Sequence, residues 1–255
     1  MNESISELVA QVIEVCEPTR DGGRGHPPTE TVRLLATLRR FLREGRPWRS
    51  LPATDAQASG STLRRLADWA QTDMLRHVHS MLIGMLCRQP DTALDLNVDS
   101  CSVRAKRGGD MTGLNPTDRS KKGTKCNVAV NEGGLPVACV ATAANVNKTT
   151  MFKCLFRAAF AVMVRVRTTF ANKGYDAEAN RDLCRGYRTE PRLHKRGQPH
   201  GSGLGKRRWP VERANAWLLE NKRLDLRYDR LGFIVEALLR AACIFLVAPR
   251  LAREF

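Results

Sequence analysis

Two acids in this chain stand where an acid needs a reason. Asp99 interrupts Leu96-Asn97-Val98-Asp99-Ser100-Cys101, an alternating stretch that reads as a strand, and Asp is depleted in strand interiors. Glu212 follows Trp209-Pro210-Val211 at the expected start of a long helix. Each has a plain structural alternative: a strand-end Asp facing solvent, or a first-turn Glu favoured by the helix dipole. Their surroundings add weight. Residues 104–125 carry Arg104, Lys106, Arg107, Arg119, Lys121, Lys122 and Lys125 against Asp110 and Asp118. Residues 188–208 carry Arg188, Arg192, Lys195, Arg196, Lys206, Arg207 and Arg208 against Glu190. Cations beside carboxylates are what phosphoryl transfer on a polyanion requires. The cations hold phosphates, and the carboxylates hold a Mg²⁺ or Mn²⁺ that activates the attacking oxygen and neutralises the leaving one. For either basic run alone, a solvated charged face is the other explanation.

The whole chain fits that chemistry. Its 255 residues carry 42 Lys and Arg against 26 Asp and Glu, a net charge of +16. A surface this basic attracts polyanions, nucleic acid first among them. The excess is uneven: residues 1–90 hold a net +2 and residues 91–255 a net +14. An apolar fraction of 42% excludes wholesale disorder. The apolar run Ala241 to Pro249, preceded by Arg240, is too short to span a bilayer, so no membrane partner is expected. Glu3, Glu7 and Glu14 exclude a signal peptide. The eight cysteines form no Cys-x-x-Cys pair and read as small reduced core residues of a cytoplasmic protein.

Two parts must position these groups. Residues 1–90 read as an all-helical domain, with apolar spacing at Ile5, Leu8, Val9, Val12 and Ile13 and again at Val32, Leu35, Leu38 and Leu42. The Gly- and Pro-rich stretch Asp21 to Pro28 breaks the chain between them. A third helix, capped by Ser59 or Ser61, carries Arg64 and Arg65 near its start, and a fourth covers Met74 to Cys87. That layout is helix-turn-helix-like, with Arg64 and Arg65 placed to meet DNA; a helical bundle with a wet arginine face is the alternative.

Residues 91–255 change period. Strands are predicted around 94–103, 126–130, 135–143, 168–172 and 190–193, with helices over 150–164 and 177–187. Residues 108–125 and 194–208 read as basic loops. Pro210 is expected to open a helix, and a last apolar helix spans about 231–247. Three antiparallel strands, a helix, another strand, then helices is the order of an α/β ribonuclease-H-like core with a mixed sheet.

Particular stretches then carry a resemblance. They are Gly25-His26-Pro27-Pro28, Arg46-Pro47-Trp48-Arg49-Ser50-Leu51-Pro52, Asp99-Ser100-Cys101-Ser102-Val103-Arg104-Ala105 and, most specific, Asn115-Pro116-Thr117-Asp118-Arg119-Ser120-Lys121-Lys122-Gly123. Gly134-Leu135-Pro136, Ala144-Asn145-Val146, Lys173-Gly174-Tyr175-Asp176 and Val211-Glu212-Arg213 ahead of Ala216-Trp217-Leu218 follow in order. The chain resembles DDE transposases of bacterial insertion sequences, the family conventionally numbered five, in its group with a short helical N-terminal domain.

The resemblance implies a three-carboxylate Mg²⁺ (or Mn²⁺) site at which water, then a DNA 3′-hydroxyl, attacks a phosphodiester. Asp99 matches the first carboxylate, Glu212 the third, and Arg208 a basic position of the C-terminal motif. The second carboxylate, directly before Lys-Gly-Tyr, is Asn172 here. An amide offers an oxygen but no charge, so cleavage is expected to be impaired. Asp176 is not expected to replace it. The family also often shows Tyr-His where Cys126-Asn127 stand and His-Asp where Asn147-Lys148 stand, and the linker between Val164 and Thr168 looks short.

The implied partners are the element's terminal inverted repeats and target DNA, bound by a nucleoid-associated homodimer. Arg64, Arg65, Arg104, Arg119, Lys121, Lys122, Lys125, Lys195, Arg196, Arg207 and Arg208 are the expected DNA contacts. A catalytically dead DNA-binding protein derived from a transposase is the alternative function, and a ribonuclease acting on RNA hybrids a weaker one.

Overall fold

The computed structural model describes residues 3–17, 29–87, 94–163, 165–197 and 204–254. The Gly25-His26-Pro27-Pro28 stretch, Val164 of the short linker and residues 198–203 of the second basic run lie outside them.

The alternating residues near Asp99 form β1 (Leu94–Ala105), the central strand. Its first half is buried on both faces, so Leu96 and Val98 point one way and Asp95, Asn97 and Asp99 the other, all covered. β2 (Gly113–Asn115) and β3 (Lys121–Val130) form a hairpin within the predicted first basic loop. That loop expectation is therefore corrected: Lys121, Lys122 and Lys125 are strand residues. Asn115 makes the turn possible, its side chain accepting from the Thr117 backbone N–H at 3.1 Å and its carbonyl from Ser120 N–H at 3.0 Å.

β4 (Pro136–Ala143) pairs with β3; β5 (Val166–Ala171) and β6 (Glu190–Leu193) extend the sheet on the other side of β1. Together with β7 (Leu226–Arg227) beside the end of β1, they make a seven-stranded sheet with the main order β4-β3-β1-β5-β6. β1 and β4 each run antiparallel to β3 between them, while β5 runs parallel to β1 and β6 parallel to β5. This mixed sheet with helices α5 (Lys148–Val162), α6 (Glu178–Gly186) and α7 (Leu204–Leu219) following the strands is the expected ribonuclease-H-like α/β core.

The helical N-terminal region consists of α1 (Glu3–Cys16), α2 (Thr31–Glu44), α3 (Arg64–Gln71) and α4 (Met74–Leu86). The tight helix-turn-helix expectation is corrected. Residues 45–63 separate α2 from α3 and contain two short 3-10 turns, at Trp48–Ser50 and Gly60–Leu63, whereas a helix-turn-helix joins its helices through three or four residues. The serine cap is not formed either, because the Gly60–Leu63 turn leads directly into α3 and Ser59 Oγ bonds Ser61 Oγ at 2.7 Å.

The short α8 (Lys222–Asp225) leads to β7, and α9 (Gly232–Glu254) closes the chain. Its stretch Gly232–Leu251 is, by length and composition, apolar enough to cross a membrane. In the fold it is a core helix packed against α1, α3, α4 and β4, with Leu238, Leu239, Cys243, Val247 and Leu251 buried. Among the described residues, one hydrophobic core thus runs from α1 through the sheet to α9.

Candidate active site

Asp99 sits mid-way along β1, its side chain 11% exposed. Both oxygens are occupied. Oδ1 accepts the Ser100 backbone N–H at 2.8 Å, Asn172 Nδ2 at 2.9 Å and Lys148 Nζ at 3.1 Å. Oδ2 accepts Arg208 Nη2 at 2.7 Å. Each partner comes from a different element. Asn172 directly follows β5 and caps the 3-10 turn Lys173–Tyr175, its Oδ1 accepting from Gly174 N–H at 2.8 Å. Lys148 is the first residue of α5, where Asn147 supplies the cap by accepting Thr149 N–H at 3.0 Å.

Arg208 belongs to α7, and here the structure corrects two expectations. α7 begins at Leu204, with Pro210 inside it rather than at its start. Arg207 and Arg208 are therefore helical, not loop, residues. Glu212 lies beyond the first turn, which removes the dipole explanation for it. A proline within a helix removes one i→i−4 hydrogen bond, and the Arg208–Asp99 ion pair anchors the turn that precedes it. Arg208 also approaches Glu212 Oε1 at 3.9 Å from the same guanidinium nitrogen, Nη2. The three residues read from the sequence thus converge: Asp99 touches Asn172, and Arg208 bridges Asp99 and Glu212. Glu212 itself is 59% exposed.

The donor chemistry tests whether this set fits a divalent cation. A metal needs oxygen lone pairs turned inward. Here Asn172 presents its N–H to Asp99 and gives its oxygen to Gly174. Two side-chain cations already lie on the Asp99 carboxylate. Among the described residues, no group of three or more His, Cys, Asp and Glu side chains could share an ion. The residues as they stand do not fit a metal. Asp176 offers no substitute: it accepts Arg196 N–H at 2.7 Å and pairs with Arg181 at 2.7 Å, which in that order hold its carboxyl below the usual range. Close to Asp99, Tyr175 is fully buried, and burial and then the Asp99 charge push its phenol above its ordinary value.

The expected DNA contacts divide by exposure. Arg64, Arg104, Arg119, Lys121, Lys122, Lys195, Arg196 and Arg207 are exposed. Arg104 makes a two-pronged pair with Asp118, at 2.7 and 2.9 Å. Arg65 is turned inward: it pairs with Glu17, donates to the Thr29 carbonyl at 2.9 Å and stacks on Trp69. Lys125 is buried on β3 with its ammonium donating to the Val146 carbonyl. Burial, and then the nearby Lys148, lower its pKa. Arg208 is engaged with Asp99. These three do not present free cations at the surface.

Sequence reading passed over two features. The family resemblance marks Lys148 as a departure from the pattern, and the structure makes it a partner of Asp99. Its signal was a cation at a helix N-terminus, where the dipole disfavours one. The other feature lies on another face of α7. Arg213 stands between Trp209 and Trp217, 4.0 and 4.6 Å from the two ring centroids. The three line a groove of about 900 Å³ shared with Arg39, Arg43 and Arg250. The four-residue spacing of Trp209, Arg213 and Trp217 was the available signal.

Residues 93–247 match the model of the transposase DDE domain family. The chain is 39% identical over 153 residues to a putative transposase for insertion sequence element IS402 of Burkholderia cepacia, covering 57% of this chain and 72% of that one. Two solved structures are similar at a low level. One is a piggyBac transposase synaptic complex with hairpin DNA: TM-score 0.40, 10% identity, 99% of this chain and 66% of that one. The other is a Mos1 transposase paired-end complex with the left transposon end: TM-score 0.29, 14% identity, 86% of each chain. With the family model spanning Asp99, Asn172 and Glu212 and a relative of this identity, the chain belongs to the DDE transposases of bacterial insertion sequences.

Proposed function

We propose that this protein binds double-stranded DNA at the terminal inverted repeats of an insertion sequence, as a homodimer on the DNA, in the bacterial cytoplasm. We further propose that the chain as it stands cuts and joins that DNA orders of magnitude more slowly than a three-carboxylate site would. Family membership supports the DNA partner. The net +14 of residues 91–255 and the exposed cations Arg64, Arg104, Arg119, Lys121, Lys122, Lys195, Arg196 and Arg207 support a phosphate-binding surface.

One observation carries the reading of weak cleavage. Asn172 donates a hydrogen bond to Asp99 instead of offering it a shared cation. Neutralising charge on the transferring phosphoryl group is usually the largest catalytic contribution in such reactions. Removing one carboxylate and occupying another with Lys148 and Arg208 takes that contribution away. Members of this family generally use divalent ions; whether Mg²⁺ or Mn²⁺ serves here is part of the test.

The test is a gel-shift and cleavage assay on duplexes with and without an element end, with MgCl₂ or MnCl₂, and with an RNA–DNA hybrid in parallel. The expected result is end-dependent binding with no product above background. Cleavage that disappears in an Asp99→Ala variant overturns the weak-cleavage reading. Absence of binding to any duplex overturns the DNA-binding reading, and cleavage of the hybrid alone moves the substrate to RNA.

A further inference from the structure

We propose that Lys148 is a built-in replacement for a metal ion at Asp99, so that restoring an acid at position 172 does not by itself restore a cation site. This rests on reading Asp99, Asn172 and Glu212 as the remnant of a carboxylate site. It adds that the loss at 172 and the lysine at 148 are two halves of one exchange, metal charge for side-chain charge.

Four observations carry it. Lys148 Nζ and Asn172 Nδ2 reach the same oxygen of Asp99, at 3.1 and 2.9 Å, so both occupy the side of the carboxylate that faces position 172. Lys148 stands at the first position of a 15-residue helix with no acid in its first turn. A cation there opposes the helix dipole, and an anion would be favoured. Lys125 lies nearby, adding further positive charge. Asp99 is the carboxylate with which Lys148 pairs in the structure. An ammonium that sits against both a dipole and a second cation is held by that carboxylate, with the Tyr175 ring 5.9 Å away as a weaker contact.

The geometry at 172 strengthens the point. An Asp is nearly isosteric with Asn, so its Oδ1 would keep the Gly174 N–H bond and its other oxygen would face Asp99 where Nδ2 now stands. Two carboxylates at that distance repel unless a cation or a shared proton lies between them. Lys148 is already there to serve, and a divalent ion would have to displace it. Arg208 remains on the opposite oxygen, Oδ2, and once Lys148 is gone Oδ1 keeps its Ser100 backbone N–H but loses its side-chain cation.

The experiment measures Mn²⁺ binding to the full chain by electron paramagnetic resonance of the free ion, without DNA. The proteins are the parent, Asn172→Asp, Lys148→Gln and the Asn172→Asp/Lys148→Gln double variant, each checked by circular dichroism. The expected result is that only the double variant binds, at least about tenfold more tightly than Asn172→Asp alone, and that adding Asp99→Asn abolishes the gain. Equal binding by Asn172→Asp and the double variant overturns the proposal. So does a folded double variant that binds no Mn²⁺. A second measurement stays with the parent site: melting temperatures of Asp99→Asn, Lys148→Gln and the pair. Non-additive shifts are expected for residues in contact, and additive shifts overturn the pairing. None of these outcomes depends on DNA binding, so failure here and failure of the proposed function are separable.

Discussion

At the scale of single residues, Asn172 illustrates how one atom changes the sense of a hydrogen bond while leaving geometry alone. Asn172 keeps every contact an Asp would keep on its Gly174 side, yet it reverses the polarity of the contact with Asp99 from acceptor to donor. The type at 172 was legible in the sequence; the reversed direction of its bond was not, because an amide can present either end. A second buried polar residue gives a prediction at this scale. His79 on α4 is buried and its Nε2–H donates to the Pro136 carbonyl at 2.7 Å. Burial, and then the charge of Arg240, lower its pKa to about 4 from 6.5. The unfolded chain therefore takes up a proton below about pH 6.5 that the fold refuses until about pH 4. The stability held by neutral His79 is complete above pH 6.5 and lost as pH falls toward 4, by about 3 kcal/mol at most. Melting curves from about pH 7.5 to 4.5 should show this fall, and a His79→Gln variant should flatten it. A variant profile that overlays the parent's would show that His79 is not the group responsible.

At the scale of elements, the boundaries that mattered were set by contacts distant in sequence. α7 was expected to start at Pro210 because proline favours a first turn. It starts six residues earlier in the fold, where Arg208 is fixed by Asp99 on β1. β3 was expected from Cys126 because the preceding residues are Gly- and Lys-rich, but pairing with β1 and β2 extends it to Lys121. The segment 106–112 that leads into this hairpin is pinned by Arg227 of β7. Its guanidinium is buried and donates to the Asp110 carbonyl at 2.5 Å, the Asp229 carbonyl at 2.7 Å and Thr112 Oγ1 at 3.1 Å. Gly109 fits there with φ +101°, where an added Cβ would lie 2.4 Å from the Arg230 carbonyl oxygen. Arg227→Ala removes a buried guanidinium with these part-buried bonds and its buried bond to Thr124 Oγ1, and should cost about 3 kcal/mol. A matching drop in the denaturation midpoint is the check, with faster amide exchange localised to residues 106–124. Uniform exchange across the sheet would mean that Arg227 does not act on this hairpin in particular.

At the scale of the whole molecule, charge and core are distributed differently. The core is continuous, with α9 bridging the N-terminal helices and the sheet. The positive charge is concentrated in residues 91–255. If the proposed surface engages about six to ten phosphates, DNA affinity should fall by about 10³- to 10⁵-fold between about 50 and 200 mM salt. Combining Lys121→Gln and Lys122→Gln should reduce the slope of log affinity against log salt by about two. Fluorescence anisotropy on a labelled duplex measures both. An unchanged slope in the double variant would place the phosphate contacts elsewhere, with the Trp209–Arg213–Trp217 groove the next surface to examine.

Local pattern alone determined the strand that carries Asp99, the approximate places of the other main strands and helices, and the basic excess, while the resemblance to a family drew attention to Asn172. These are properties of short stretches: side-chain alternation, helical spacing, composition and residue type. Only the tertiary structure decided that Lys148, Arg208 and Asn172 meet on one carboxylate, that Lys125 and Arg65 are turned inward, and that α2 and α3 are held apart rather than joined by a tight turn. Each of those outcomes depends on which distant segments pack together. A lysine's partner, unlike its charge, is fixed only when the chain closes around it.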